Sequence, residues 1–264
     1  DEAAQVKATL TALGLVEGTH VRYVDAAARF LAKLDGVNDA DRRRQLIGHE
    51  FVAVFDEVAA ALAADGRGAV EYLCQGTLYP DVIESGTGGA AIKRHHNVGG
   101  LPERMRLRVV EPFRHLFKDE VRHIAEHKLG IPHAVVWRHP FPGPGLAVRI
   151  VGAPVSAARL ELVRAADAIY LDELRRADVY ERISQAFAAL VCVSTVGVMG
   201  DGHTLEAMVM LRAVVTHDFM TADVYAFDHA LLQRISTRII NEVPGVNRVL
   251  YDHSTKPPST IEAL

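Results

Sequence analysis

The sequence predicts an α/β protein, with a doubly wound parallel sheet followed by a smaller α+β unit. Two observations point to the first part. Short apolar runs alternate with helical patterns over its length, the rhythm of strand-helix-strand units. Within that rhythm AVEYLCQGT (69–77) is almost continuously apolar, as expected of a strand covered on both faces. A third observation marks the boundary. HPFPGPGLAV (139–148) packs three prolines and two glycines into one short stretch, which excludes helix interior and central strand. It reads as a stiff connector dividing residues 1–140 from 141–264.

Taken in order, Ala3, Val6, Leu10 and Leu13 recur at helical spacing, and THVRYVDA (19–26) reads as a strand. A long helix is expected over 39–66, with Ile47, Phe51, Phe55, Val58 and Leu62 as its buried stripe and Gly66 just past its end. AVEYLCQGT and LRVVEP (107–112) follow as strands. KDEVRHIAEHKLGIP (118–132) is a helix stopped by Gly130, with Pro132 beyond.

After the connector, AVRIVG (147–152) is a strand. The next helix places Leu160, Val163, Tyr170 and Leu174 on one face. LVCVSTVGVMGDG (190–202) and AMVMLRAVV (207–215) read as neighbouring strands joined through a glycine-rich turn. A helix with Leu231, Leu232, Ile235, Ile239 and Val243 precedes a last strand, NRVLYD (247–252). Helices on one side of a small sheet make an α+β unit.

Composition bounds the function. The 264 residues are 49% apolar and 23% charged, with a formal net charge of −4. That balance suits a packed core and gives no electrostatic case for nucleic acid. Apolar runs are too short for a membrane span. Cys74 and Cys192 both lie in apolar runs, so buried reduced thiols and a cytoplasmic setting are expected. The opening DEAAQVKATLTALGL is already helical in pattern, so the chain is expected to start inside a larger fold.

Four stretches concentrate chemistry. AAIKRHHNVGGLPE (90–103) sets Lys93, Arg94, His95, His96 and Asn97 between glycine pairs. Adjacent residues on extended chain point to opposite faces, which argues against one metal gripped by both histidines. A polar turn and a loop closing over an anion both fit. QGTLYPDVIES (75–85) leaves the carboxyl end of a strand, where open α/β sheets bind ligands. Gly76 would admit a close backbone, and Asp81 or Glu84 could take Mg²⁺; an ordinary turn with solvated acids fits equally. In FKDEVR, Lys118 and Arg122 share a helix face with Asp119 between, as an anion-facing start or as surface ion pairs. At the end, Pro257 and Pro258 either stiffen the chain that carries Lys256 and Glu262 or sit in a frayed terminus.

Taken together, RRQLIG, QGTLYPDVIESG, IKRHHNVGGLPE, EPFRHLFKDEVR, RHPFPGPGLAVRI, SQAF, VGVMGDG, DFMTAD, ISTRIINEVPGVNRVLYD and KPPSTIE occur in order along essentially the whole chain. This ordered set resembles the glutamine-hydrolysing GMP synthases. The resemblance implies an ATP pyrophosphatase domain over 1–140, with a lid at about 84–103, and a dimerisation domain over 141–264. It implies adenylation of xanthosine monophosphate (XMP) by Mg²⁺–ATP, with release of pyrophosphate. Ammonia from a glutamine amidotransferase then displaces AMP to give GMP. Lys93, His95, His96 and Asn97 would belong to the lid, and Lys118, Asp119 and Arg122 would face the ATP phosphates. Gln75, Gly76 and Thr77 would line the ATP and pyrophosphate site, with Asp81 at the metal. Arg44, Gln185, Asp201, Lys256 and Glu262 would contact XMP.

Three departures accompany the likeness. The family's amidotransferase domain and its SGGVDS phosphate loop are not in the sequence, so the chain alone is expected to lack pyrophosphatase activity. The lid is short near SGTGGAA. His203 stands where the family has arginine, and the chain ends IEAL where IEWE is usual. Histidine reaches less far and makes no bidentate phosphate grip.

Overall fold

The computed structural model describes residues 2–66, 68–86, 107–200 and 202–264. The expected lid residues Lys93, His95, His96 and Asn97, and Asp201, lie outside the described residues.

Helix α1 spans Glu2–Ala12, α2 Ala27–Leu34 and α3 Ala40–Ala64. The Asp39 carboxylate caps α3, accepting from the Arg42 amide at 2.7 Å. The strand expected over 19–26 does not form. Only an isolated bridge joins Glu17 and Val21. Asp25 instead accepts from the Ala27 amide at 3.0 Å, so this segment leads into α2 rather than a ladder.

Strand β1 (Tyr72–Cys74), helix α4 (Tyr79–Gly86) and strand β2 (Arg108–Val110) follow, with β1 and β2 parallel and Tyr72 opposite Arg108. Parallel pairing needs a crossover connection, and it agrees with the expected strand-helix-strand rhythm. Among the described residues the sheet of the first part is this parallel pair. AVEYLCQGT was expected to be covered on both faces, yet Tyr72 and Cys74 are exposed. Phe51 and Phe55 are also exposed, although expected in a buried stripe. They stack on each other, and Phe51 meets Phe30 in a tilted contact at 5.0 Å, so aromatic contact gathers what α3 does not bury.

Helix α5 (Lys118–His123) continues as a π-helical turn over Ile124–Lys128, ended by Gly130 at φ 65° as its left-handed stop. Helix α6 is His133–Val136. The proline-rich connector runs into a 3₁₀ turn, Gly145–Arg149, and then β3 (Ile150–Val151).

The second part has α7 (Ala157–Arg176), β4 (Gln185–Met199), β5 (Gly202–Val215), β6 (Asp223–Val224), α8 (His229–Glu242) and β7 (Val246–Tyr251). The sheet order is β3-β4-β5-β6, with β7 also on β5. The β4–β5 hairpin is antiparallel, while β3 joins β4 and β7 joins β5 in parallel.

Alternation sorts this hairpin into two faces. Ala186, Ala188, Leu190, Leu211 and Ala213 meet Val163, Tyr170 and Leu174 of α7 and Ile235 and Ile239 of α8 in the main core. Leu34 and Ile47 join the same core from α2 and α3. The other face carries a smaller cluster of Phe187, Ala189, Val214, Ala222 and Ile261, with Phe219 and Ala263 against it. Helices therefore cover one side, and the C-terminal tail covers the other.

His139, in the connector, stacks on Tyr180 at 3.8 Å between ring centroids. Its Nδ1 accepts from the Ala186 amide at 3.1 Å and its Nε2 faces the Tyr180 carbonyl at 3.0 Å, which selects the neutral ring protonated on Nε2. Burial pushes its pKa down, with Arg175 adding to the effect. Its stabilising contribution is thus complete above about pH 6.5, the unfolded value, and is lost as pH falls toward the lower folded value. His133 acts oppositely, its pKa raised by Glu126 and then Glu181. Thermal melts should show wild type losing stability relative to His139→Gln as the pH falls below about 6.5. Parallel curves for the two proteins would rule this out.

Candidate functional site

The candidate site lies on the tail-covered face of the sheet. Gln185, Phe187 and Ala189 of β4 stand opposite Val214, Arg212 and Met210 of β5, all on this side. Arg212 is fully buried. Its Nη1 donates to the carbonyls of Asp252, at 3.4 Å, and Ser254, and ion-pairs Asp252 at 3.3 Å. Its Nη2 reaches Ser259 Oγ and the Thr260 carbonyl, both at 3.2 Å. A single guanidinium thereby pins the chain on both sides of the Pro257–Pro258 pair. The frayed-terminus reading of this tail is set aside by these contacts.

Lys256 is fixed twice. Its backbone exchanges hydrogen bonds with Ala222 at 2.8 and 2.9 Å, and its ammonium donates to the Phe219 carbonyl at 2.6 Å. Phe219 occupies a tight turn at φ 62°, a conformation a bulky side chain seldom takes. Thr216 Oγ1 accepts from the Phe219 amide at 2.9 Å, and Asp218 Oδ1 accepts from Met220 and Thr221. On the ring side of the same residue lies Lys118, its Nζ 4.6 Å from the ring centroid. Two cations from opposite sides of the connector thus meet at one residue.

Burial, and after it Arg122, pulls the Lys118 pKa down to about 8 against the opposing charge of Asp81. Arg122 stacks over Trp137 at 4.7 Å. Among the described residues no ion pair joins Asp119 to Lys118 or Arg122, so the surface-pair reading of FKDEVR finds no support there. Glu120 instead accepts from the Phe117 amide at 2.8 Å, capping α5.

A second cluster gathers Arg44, Gln185 and Glu262. Arg149, buried at 2% exposure, grips Glu262 in bidentate fashion through Nε at 3.2 Å and Nη2 at 3.1 Å. Gln185 Nε2 donates to the same carboxylate at 2.7 Å. Arg149 also lies over Phe187 at 4.4 Å and Phe141 at 5.0 Å, and 3.6 Å from Asp167. Arg44 donates to the Leu264 carbonyl. The ending IEAL therefore still seats Glu262.

The remaining residues mark the carboxyl end of β1. The Gln75 amide donates to the Val110 carbonyl at 2.9 Å, and Thr77 Oγ1 donates to Glu111 at 2.6 Å. A Cβ on Gly76 would meet open space. Asp81 Oδ2 accepts from the Leu78 amide at 2.9 Å, which fixes the carboxylate at the start of α4. Among the described residues no group of three His, Cys, Asp or Glu side chains could hold a metal ion. Asp81 could take part in holding Mg²⁺ whose other ligands are mainly phosphate oxygens.

Sequence reasoning missed Arg149, Arg212 and Phe219. The first two carried a signal: each is an arginine breaking an apolar run, LAVRIV and MLRAVV, where a buried charge must find partners. Phe219 carried none, because its role comes from a turn conformation.

Comparison with known proteins follows the same outline. Residues 172–263 match the family described as GMP synthase C terminal domain. The chain is 51% identical over 265 residues to GMP synthase [glutamine-hydrolyzing] of Saccharomyces cerevisiae, covering 99% of this chain and 50% of that protein. Against the enzyme of that name from Agrobacterium fabrum it is 56% identical over 244 residues, 91% of this chain and 46% of the other. The chain thus spans about half the length of the curated relatives it matches.

Proposed function

The chain belongs to the GMP synthase family, and on that premise we propose that it supplies the nucleotide-handling part of a GMP synthase. The O2 oxygen of XMP attacks the α-phosphorus of ATP, and pyrophosphate leaves. Ammonia then attacks C2, and AMP departs as GMP forms. The convergence of Lys118 and Lys256 on Phe219 carries this reading. It brings a cation beside Asp81 and the β1 terminus together with one on the tail. Arg44, Gln185, Lys256 and Glu262 would bind XMP, with Asp201 completing the set. Lys118, Asp119 and Arg122 would face the ATP phosphates beside Gln75, Gly76 and Thr77. Asp81 would hold Mg²⁺ together with phosphate oxygens, the metal supplying charge neutralisation of the leaving pyrophosphate. Lys93, His95, His96 and Asn97 would close over the nucleotides and exclude water.

A homodimer belongs to the same proposal. Val196, Val198 and Leu205 are 61%, 70% and 71% exposed, and Val196 pairs with Leu205 on one face of the hairpin. Such an apolar face suits a second copy of the chain. No helix among the described residues is long and apolar enough to cross a membrane, and a cytoplasmic setting is proposed with the rest.

The full-length protein carrying this chain is expected to make GMP from XMP, ATP and ammonia, followed by chromatography of the nucleotides. Residues 1–264 alone, without an SGGVDS sequence, are expected to bind XMP in calorimetry and release no pyrophosphate. No GMP from the full-length protein would reject the reading.

A further inference from the structure

Phe219 touches Lys118 and Lys256, the cations assigned above to ATP and to XMP, and the two contacts use different parts of it. Lys118 rests on the ring, 4.6 Å from its centroid, and Lys256 donates to the carbonyl at 2.6 Å. A phosphate that takes either ammonium competes with its hold on Phe219. The turn between them is locked at φ 62° by Thr216 and Asp218, and such outliers gather where binding and switching occur. The ring also packs on the cluster of Phe187, Ala222 and Ile261 beneath the tail, so motion of the ring is felt there.

We propose that Phe219 is a positioning residue that couples the two half-sites, so that XMP seated on Lys256 frees Lys118 to take the ATP phosphates. The inference rests on the nucleotide reading given above. When XMP draws Lys256 off the carbonyl, Phe219 loses one of the contacts that hold it. ATP then meets a lysine whose release has already been offset, which is positive cooperativity. By linkage, ATP tightens XMP by the same factor.

The test titrates the full-length protein with XMP and α,β-methylene-ATP, singly and together. In the wild type each nucleotide is expected to tighten the other roughly five- to tenfold. Phe219→Tyr keeps the ring and should keep that factor. Phe219→Leu keeps the carbonyl but loses the ring. Its coupling is expected to fall below about twofold, while its affinity for XMP alone changes less than about threefold. Lys118→Met, made independently of the turn, should remove the coupling from the other side. A merely structural role for Phe219 would weaken both nucleotides together and leave their ratio unchanged. Unaltered coupling in Phe219→Leu, or none in a wild type that binds both nucleotides, overturns the inference alone. A wild type that binds neither nucleotide overturns the functional reading and this inference with it.

Discussion

Replacing Arg43 by methionine is expected to destabilise the chain by about 3–5 kcal/mol and to lower its melting temperature by roughly 10 °C. Arg43 is fully buried, and among the described residues no carboxylate hydrogen-bonds to it. Its Nε donates to the Val37 carbonyl at 3.1 Å, Nη1 to Ala147 and Ile150 at 3.0 and 2.7 Å, and Nη2 to Asn38 Oδ1 and the Ala153 carbonyl. All five N–H donors of the guanidinium are used. Burial pulls its pKa down, but an arginine stays protonated, so the carbonyls offset the lost hydration. Methionine matches the stem but leaves those acceptors without donors, and α3 loses its tie to the connector and β3. One neighbour sharpens the test. Arg42→Met, at an exposed position, should change stability by less than about 0.5 kcal/mol. Denaturant melts that rank Arg42 and Arg43 equally would refute this account.

That contrast shows where sequence reading stops. RRRQLIG gives three arginines in a row, and nothing local separates the one that is buried. Three of its five acceptors lie more than 100 residues away, in the segment from Ala147 to Ala153. The second part was easier to read. In α7 and α8, apolar residues recur with the helical period and meet one sheet face, so local pattern and tertiary packing agree. The hairpin was legible for the same reason. In the first part pattern and packing diverge: β1 and β2 have three residues each, and Phe51 and Phe55 lie exposed although Ile47 of the same stripe is buried. The site was legible in pieces. Pro-Pro beside Lys256 signalled a stiff tail, but the arginine that pins it sits in β5, 44 positions earlier. Phe219 rests on turn geometry that periodicity does not encode.

The largest expected functional effect falls on Lys256. Lys256→Met should weaken XMP binding by roughly 10- to 150-fold, the loss of a charge-assisted hydrogen bond worth about 1.5–3 kcal/mol. Stability should change by less than about 1 kcal/mol. The asymmetry follows from how the residue is held. The backbone bridge to Ala222 and the Arg212 clamp on Ser254 and Thr260 do not involve the Lys256 side chain. The tail therefore keeps its course when the ammonium is removed. Lys256→Arg should recover only part of the affinity, since a planar fork does not reproduce a compact ammonium donating at 2.6 Å. Calorimetric titration with XMP, paired with a thermal melt of each variant, separates the two effects. Affinity retained in Lys256→Met would remove the tail from the site, and a collapse of the melt would make Lys256 a structural residue.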